Sequence, residues 1–273
     1  MAARTTRHAT PADPSAQDWR HIVRLAKVDM TFGRVQALSQ VDFEVGRNEI
    51  VGLIGDNGAG KSTLIRIVSG VLRPTAGRIW VRDRPLDLDD YSVRMAHELR
   101  IETVHQGNSL GEKQPLWRNL FVGRQITGRF GFIDVKKERE VADHLLRQAI
   151  GFRGHGISAD STVRDLSGGE RQGIAIARAM YFQADLIVLD EPTTALAVRE
   201  VRKVLNFVEG VKAGGRACIY IEHNLAHVHE VADRLVLMDR GKMAAEFAKG
   251  DVSLAELTNQ MIALQEGHGR VRG

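Results

Sequence analysis

A glycine-rich segment of eight residues constrains the fold of this chain more than any other feature. It lies between an apolar run at 49–54 and a helical pattern, and it follows G-x-x-x-x-G-K-[ST]. Glycines allow backbone N–H groups to converge on an anion, and the helix N-terminus adds a partial positive charge. The segment therefore predicts a phosphate-binding loop between a strand and a helix. Its residues are Gly55, Asp56, Asn57, Gly58, Ala59, Gly60, Lys61 and Ser62.

Two side chains of this loop have chemistry that suits a nucleotide. Lys61 would meet the β and γ phosphates, and the Ser62 hydroxyl would bind Mg²⁺, which prefers oxygen ligands. The alternative is a glycine-rich turn with a chance lysine, but a random match in a chain of this length is on the order of one per cent. We therefore expect this loop to bind a nucleotide.

Length and composition exclude several classes of protein. The 273 residues, 43% of them hydrophobic and 26% charged, are enough for a large core in one domain or two close lobes. No apolar run approaches the roughly 18–20 residues that cross a bilayer, so any membrane role is expected to be peripheral. The single cysteine, and a first segment without the apolar core of a secretion signal, predict a cytoplasmic setting. A net charge of +4 is too slight to indicate a nucleic-acid partner.

Hydrophobic periodicity predicts an α/β fold. Alternating patterns at 21–30 and 41–45 indicate antiparallel strands, and the later apolar strands alternate with helices, which favours a mostly parallel sheet covered on both faces. The strand pattern stops between Gln106 and Ser167, so we expect an inserted helical lobe at about 107–164. We expect a flexible leader at 1–20, a single domain over 21–265 and a frayed end at 266–273.

A second segment, at 185–192, places two acids at the end of an apolar strand. It reads Asp-Leu-Ile-Val-Leu-Asp-Glu-Pro. Ligands of open α/β sheets bind beyond the carboxyl ends of the strands. Asp190 is then a direct or indirect ligand of Mg²⁺, and Glu191 is the general base or the group that orients the attacking water. A solvated turn is the alternative for these two acids taken alone.

A third segment, Leu-Ser-Gly-Gly-Glu at 166–170, precedes a helical pattern. Ser167 is a candidate N-cap, and the two glycines would expose N–H groups at the positive end of the helix. The segment by itself fits either a simple cap or a second anion-binding element.

The three segments together resemble the ATP-binding cassette ATPases, in which the pentapeptide at 166–170 is the family signature. The resemblance extends over about 23–264 with the motifs in the family's order. It implies a P-loop NTPase fold with a mostly parallel core sheet, an antiparallel β subdomain and an inserted helical subdomain. It also implies that two subunits sandwich two ATP molecules head to tail, as a homodimer or as a pair with a related chain.

The resemblance assigns further roles to individual residues. Gln106 matches the glutamine that touches Mg²⁺ and the water, and His223 matches the switch histidine that contacts the γ-phosphate, so the implied catalytic residues are Glu191, His223 and Gln106. Phe32 matches the aromatic that stacks on adenine, with a core position as its alternative. The implied contacts of ATP are Phe32, Gly55, Asp56, Asn57, Gly58, Ala59, Gly60, Lys61, Ser62, Thr63, Ser167, Gly168, Gly169 and Glu170, and those of Mg²⁺ are Ser62, Gln106 and Asp190. One departure is Ala197, where the family usually has an aspartate that contacts the opposite subunit.

The segments at 103–106, 119–124 and 132–134 are similar to the subgroup that energises monosaccharide importers of the ribose and fructose type, and so is the loop that ends in Ala197. This similarity implies an ATPase on the cytoplasmic face of the cell membrane, docked on transmembrane permease subunits. A solute-binding protein would deliver the solute to these subunits. The subgroup often fuses two cassettes, whereas this chain has one set of motifs. The alternatives are an importer for amino acids or another small solute, and a soluble cassette ATPase of DNA repair or translation. The interval 106–167 is too short for the long coiled coil of some soluble relatives.

Overall fold

The computed structural model describes residues 19–104, 111–149, 157–194 and 196–269. They contain an antiparallel sheet, a larger mostly parallel sheet and helices that cover the larger sheet. None of the helices in these ranges combines the length and the apolar character that a bilayer crossing needs. The α/β fold expected from the sequence is confirmed.

The strands divide between the two sheets. In chain order they are β1 (His21–Phe32), β2 (Val35–Gly46), β3 (Ile50–Ile54), β4 (Ala76–Val81), β5 (Arg84–Pro85), β6 (Ile101–Val104), β7 (Leu186–Asp190), β8 (Ala217–Ile221), β9 (Arg234–Asp239) and β10 (Lys242–Ala248). The antiparallel sheet has the order β2-β1-β4-β5, and the larger sheet has the order β10-β9-β3-β8-β7-β6. In the larger sheet β10 runs antiparallel to β9, while the other pairs are parallel.

The helices lie between these strands, except for the last one, which follows β10. They are α1 (Lys61–Val68), α2 (Val93–Glu98), α3 (Leu116–Phe121), α4 (Val135–Ala149), α5 (Gly168–Tyr181), α6 (Val198–Ala213), α7 (Leu225–Val231) and α8 (Leu254–Gly269). The strands β3 and β8 are buried along their whole length, because both faces of the larger sheet are covered. This is why they read as continuous apolar runs in the sequence rather than as alternating ones.

The region between β6 and β7 forms a helical lobe, which we define as the described residues from 111 to 164. It has a core of its own, in which α3 and α4 pack on the signature helix α5 around Trp117, Phe121 and Leu146. Two further apolar clusters lie on the two faces of the larger sheet, one of them shared with the antiparallel sheet. The lobe is therefore attached to the core sheet through α5 and the edge strand β6.

Candidate nucleotide-binding site

The register of the larger sheet brings three of the predicted site segments to one edge. Leu53 of β3 and Asp190 of β7 both pair with Ile221 of β8, on opposite sides of that central strand. The three strands are parallel, so the chain leaves all of them in the same direction. Gly55, Glu191 and His223 follow these three paired residues by two, one and two positions. The phosphate loop, Glu191 and His223 therefore lie at the same edge of the sheet.

The phosphate loop connects β3 to α1 through residues 55–60. Gly55 has a φ of +152° and Gly60 a φ of +107°, which side chains disfavour. A Cβ atom on Gly55 would lie 2.3 Å from the Met238 carbonyl oxygen, and one on Gly60 would lie 2.9 Å from the Ala37 carbonyl oxygen. The glycine pattern thus lets the loop sit tightly between β2 and β9, while the space beside Gly58 is open.

Lys61 lies inside this loop with only 6% of its surface exposed. Its Nζ donates to the carbonyl oxygen of Gly55 at 2.6 Å and to that of Asp56 at 3.0 Å. Burial lowers the pKa of Lys61, and the nearby carboxylates of Glu191, Asp56 and Asp190 oppose that shift. The loop cation therefore lies close enough to Asp190, at the end of β7, and to Glu191, which follows it, to interact with both carboxylates. Helix α8 also reaches the loop, since Gln265 Nε2 donates to Asp56 Oδ1 at 2.8 Å.

Glu191 follows Asp190 in an unusual backbone conformation, with a φ of +51°. Its N–H donates to the Ile221 carbonyl oxygen at 3.0 Å. Its Oε1 lies 2.7 Å from Nε2 of His223, two residues beyond the end of β8. The left-handed conformation costs of the order of 1–3 kcal/mol and persists only where the surroundings impose it. In this conformation the carboxylate of Glu191 contacts the imidazole of His223.

The signature turn, residues 166–170, leads into α5 and forms its N-terminus. Ser167 is the N-cap, its Oγ accepting from the Glu170 N–H at 3.3 Å, while Glu170 Oε2 accepts from the Ser167 N–H at 2.7 Å. This reciprocal capping box gives Glu170, a predicted ATP contact, a local structural partner. The glycines that follow Ser167 lie in the first turn of the helix, where N–H groups and the helix dipole favour an anion.

Glu200 of α6, which the sequence analysis did not single out, lies against this turn. A Cβ atom on Gly169 would be 2.4 Å from Glu200 Oε1. Glu200 Oε2 accepts from the N–H of Ala197, the N-cap of α6, at 3.2 Å. A glutamate three residues after the N-cap is a known capping signal, and it could have directed attention to this residue. Through Glu200, the loop that follows Glu191 contacts the signature turn of the same chain.

The positions of the remaining predicted site residues bear differently on the roles expected for them. Phe32 exposes 45% of its surface at the end of β1, so its alternative as a core residue is wrong. Gln106 lies outside the described residues, and β6 ends at Val104. For Mg²⁺, the Ser62 hydroxyl lies exposed at the start of α1, and Asp190 ends β7. This hydroxyl and carboxylate fit Mg²⁺, which takes oxygen ligands and fills its other positions with phosphates and water.

Comparison with known proteins gives the same family as the motifs. The ABC transporter family model matches residues 38–194. The chain is 38% identical to the xylose/arabinose import ATP-binding protein of Sulfolobus acidocaldarius, over 90% of this chain and 96% of that protein. It is 35% identical to the fructose import ATP-binding protein of Rhizobium meliloti, over 86% and 91%. It is 33% identical to a ribose import ATP-binding protein of Rubrobacter xylanophilus, over 90% of this chain but only 48% of that protein. The chain thus spans about half the length of the ribose relative.

Solved structures confirm the cassette fold. A nucleotide-free ATP-binding cassette from an ABC transporter superposes with a TM-score of 0.75 at 25% identity, covering 90% of this chain and 98% of that one. A dimeric cassette in a post-hydrolysis state with ADP and Pi superposes with a TM-score of 0.68 at 22% identity, covering 83% and 98%. The chain therefore belongs to the ABC transporter family, as an ATP-binding cassette that acts as an ATPase.

Proposed function

We propose that this ATPase drives the uptake of a monosaccharide through a membrane permease. The observation that carries the catalytic half of the proposal is the convergence of Lys61, Asp190, Glu191 and His223 at one sheet edge, with Glu191 and His223 2.7 Å apart. The importer half is supported by the relatives, which are named for the import of xylose and arabinose, fructose, and ribose.

In this proposal each side chain has a separate role in hydrolysis. Lys61 and the loop N–H groups bind the β and γ phosphates, and the exposed ring of Phe32 stacks on the adenine. Glu191 orients the attacking water and takes up its proton, while His223 lies against the Glu191 carboxylate and contacts the γ-phosphate. Mg²⁺, which Ser62 and Asp190 would hold, supplies charge neutralisation on the phosphate oxygens.

We further propose that the catalytic unit is a dimer. Two observations support this proposal: the N-terminus of α5 offers a second anion-binding element, and a dimeric cassette is among the solved structures that share this fold. In the dimer the Ser167–Gly169 turn of one subunit would close over the ATP held by the Lys61 loop of the other. Bound ATP would then hold the two subunits together, and its hydrolysis would let them separate.

The helical lobe is the proposed contact with the permease. It presents two large exposed aromatic side chains, Phe130 at 82% and Phe132 at 79%, in the turn before α4. The lobe also contains a cavity of about 290 Å³, and its lining includes Trp117, Arg118 and Ile133, the residue after Phe132. Exposed apolar surface of this kind marks an interaction site. A cassette docked there would be peripheral on the cytoplasmic face of the membrane.

Purified variants test the catalytic proposal. Lys61→Ala is expected to lose tight ATP binding, because the buried ammonium is the cation that meets the phosphates. Glu191→Gln is expected to bind ATP normally and to lose hydrolysis by about 100-fold or more. The matched control is Glu209→Gln on the exposed face of α6, which should hydrolyse ATP like the wild type. Native turnover by the Glu191→Gln variant would refute the assignment of the base.

Uptake and fractionation test the importer proposal. Cells that carry Glu191→Gln should fail to accumulate labelled xylose, fructose or ribose, whichever the wild type accumulates, and normal accumulation would defeat the proposal. The wild-type protein should pellet with membranes, and Phe130→Ser with Phe132→Ser should release it. Val71→Ser, which removes an exposed valine outside the lobe, is the control and should remain bound. Co-purification with ribosomes or DNA would favour the soluble alternatives instead.

A further inference from the structure

Next to the proposed catalytic histidine the structure buries a carboxylate. Glu222 directly precedes His223, and only 4% of its surface is exposed. Its Oε1 accepts two hydrogen bonds from Thr193, one from the backbone N–H at 2.7 Å and one from the hydroxyl at 2.6 Å. Burying a carboxylate is unfavourable unless hydrogen bonds replace the water it loses, and Thr193 supplies two of them.

Thr193 belongs to the turn that carries Glu191. It lies two residues after Glu191 and is itself buried. The turn is therefore attached to the end of β8 at three points, which are the Glu191 N–H on Ile221, the Glu191 carboxylate on His223, and Thr193 on Glu222. Two consecutive residues, Glu222 and His223, thus hold the turn on either side of Pro192.

The Thr193 hydroxyl connects the turn to α7 as well. It lies 3.4 Å from His227 Nδ1, and His227 Nε2 lies 3.2 Å from the side-chain nitrogen of Asn224, the N-cap of α7. A hydroxyl has one proton to donate and can accept with its lone pairs. When Thr193 donates to Glu222 it can still accept from His227, so the turn is fixed from two directions.

The positive φ of Glu191 shows why such fixing matters. A residue with a Cβ atom seldom adopts φ of +51°, so contacts that fix the turn help to keep Glu191 in this conformation. Without the contact to Glu222, the turn would lose one of its three attachments to the end of β8, which would allow the Glu191 carboxylate to move away from His223. A displacement of about 1 Å of a catalytic group can cost on the order of 100-fold in rate.

We propose that Glu222 is a positioning residue for ATP hydrolysis, which acts through Thr193 to hold the Glu191 carboxylate against His223. This inference rests on the proposed role of Glu191 as the base. Glu222 supplies an acceptor oxygen rather than a charge for the reaction. An amide oxygen in the same place accepts the same two hydrogen bonds, whereas an aliphatic side chain of similar size accepts neither.

Steady-state kinetics and ATP binding test the proposal. Glu222→Leu is expected to lower kcat by about tenfold or more, while KM and the Kd for ATP stay within about threefold of the wild type. Thr193→Val keeps the backbone N–H and should lower kcat less. Glu222→Gln should restore kcat to within about threefold of the wild type. Thr194→Val, at the exposed neighbouring position, is the matched control and should match the wild type.

A double-mutant cycle separates positioning from a general structural role. In the Glu191→Gln background, Glu222→Leu should leave the residual hydrolysis unchanged, because the group that it positions has already been removed. A structural defect would lower ATP binding and the residual rate in both backgrounds, and that result would overturn the proposal.

The outcomes distinguish this inference from the proposed function. Native turnover by Glu191→Gln would refute the base and the inference together. Loss of hydrolysis in Glu191→Gln with native kcat in Glu222→Leu would refute only the positioning role. If Glu222→Leu does not fold, native kcat in a folded Thr193→Val variant refutes it as well.

Discussion

The buried ion pair between Glu102 and Arg124 joins the helical lobe to the edge of the core sheet. Glu102 lies on β6 with 5% of its side chain exposed, and Arg124 follows α3 in the lobe. The Arg124 guanidinium also lies 4.1 Å above the ring of Phe182, and its pKa falls to about 10, first because of burial and then because of Arg178. The substitution Arg124→Met keeps an extended apolar chain and removes the charge.

The expected cost of this substitution follows from the burial of Glu102. Removing one partner of a buried ion pair costs about 3–5 kcal/mol, because the other charge is left without compensation. For a chain of this size each kcal/mol lowers Tm by about 2–4 °C, so Arg124→Met should lower Tm by roughly 6–20 °C. Adding Glu102→Gln removes the uncompensated charge and should recover more than half of the loss.

Thermal unfolding followed by circular dichroism measures both variants. The control is Arg202→Met, which breaks an ion pair with Glu230 whose side chains are 59% and 42% exposed. An exposed pair contributes about 0–1 kcal/mol, so the control should lower Tm by only a few degrees. The reasoning is refuted if Arg124→Met is no worse than Arg202→Met, or if the double variant is no more stable than Arg124→Met alone.

Three further substitutions test the titration of a partly buried histidine and the packing of two glycines. Burial, followed by Arg124 and Arg178, lowers the pKa of His97 to about 4. An unfolded histidine binds its proton below about 6.5, so the stability that His97 contributes above that pH is lost as the pH falls toward 4. His97→Gln should flatten the fall of the urea midpoint between pH 7 and pH 5, and an unchanged slope would contradict the shift. A Cβ atom on Gly52 of β3 would lie 2.3 Å from Val228, so Gly52→Ala should cost about 1–3 kcal/mol in denaturant titrations. Gly210→Ala in α6, where a Cβ meets nothing within 4 Å, should instead stabilise by about 0.5–1 kcal/mol, and equal effects would disprove the clash.

The parts of the fold that the sequence predicts are those with local patterns. The phosphate loop is recognisable because its glycines, its lysine and the flanking strand and helix are contiguous in the chain. The strand β7 and the acids that follow it are recognisable for the same reason. By contrast, α2 and α3 have six residues each, too few for a helical period to stand out.

The contacts that sequence reasoning missed join distant segments. Glu222 and Thr193 are 29 positions apart, and nothing in either segment alone shows that a carboxylate and a hydroxyl meet. The two residues meet because β7 and β8 are neighbours in the sheet. The hydrophobic pattern of a strand does not indicate which other strands lie beside it. The same holds for Glu200, whose contact with Gly169 depends on how α6 packs against α5.

The central claim is that the Lys61 loop and the Ser167 turn of different subunits act on one ATP. Mixing two inactive variants, Lys61→Ala and Ser167→Arg, tests it most directly by ATPase activity. A mixed dimer has one site built from the intact loop of one subunit and the intact turn of the other. Half of the random dimers are mixed, so we expect the mixture to regain roughly a quarter of the wild-type activity, while each variant alone stays inactive. A mixture as inactive as its components would contradict the claim.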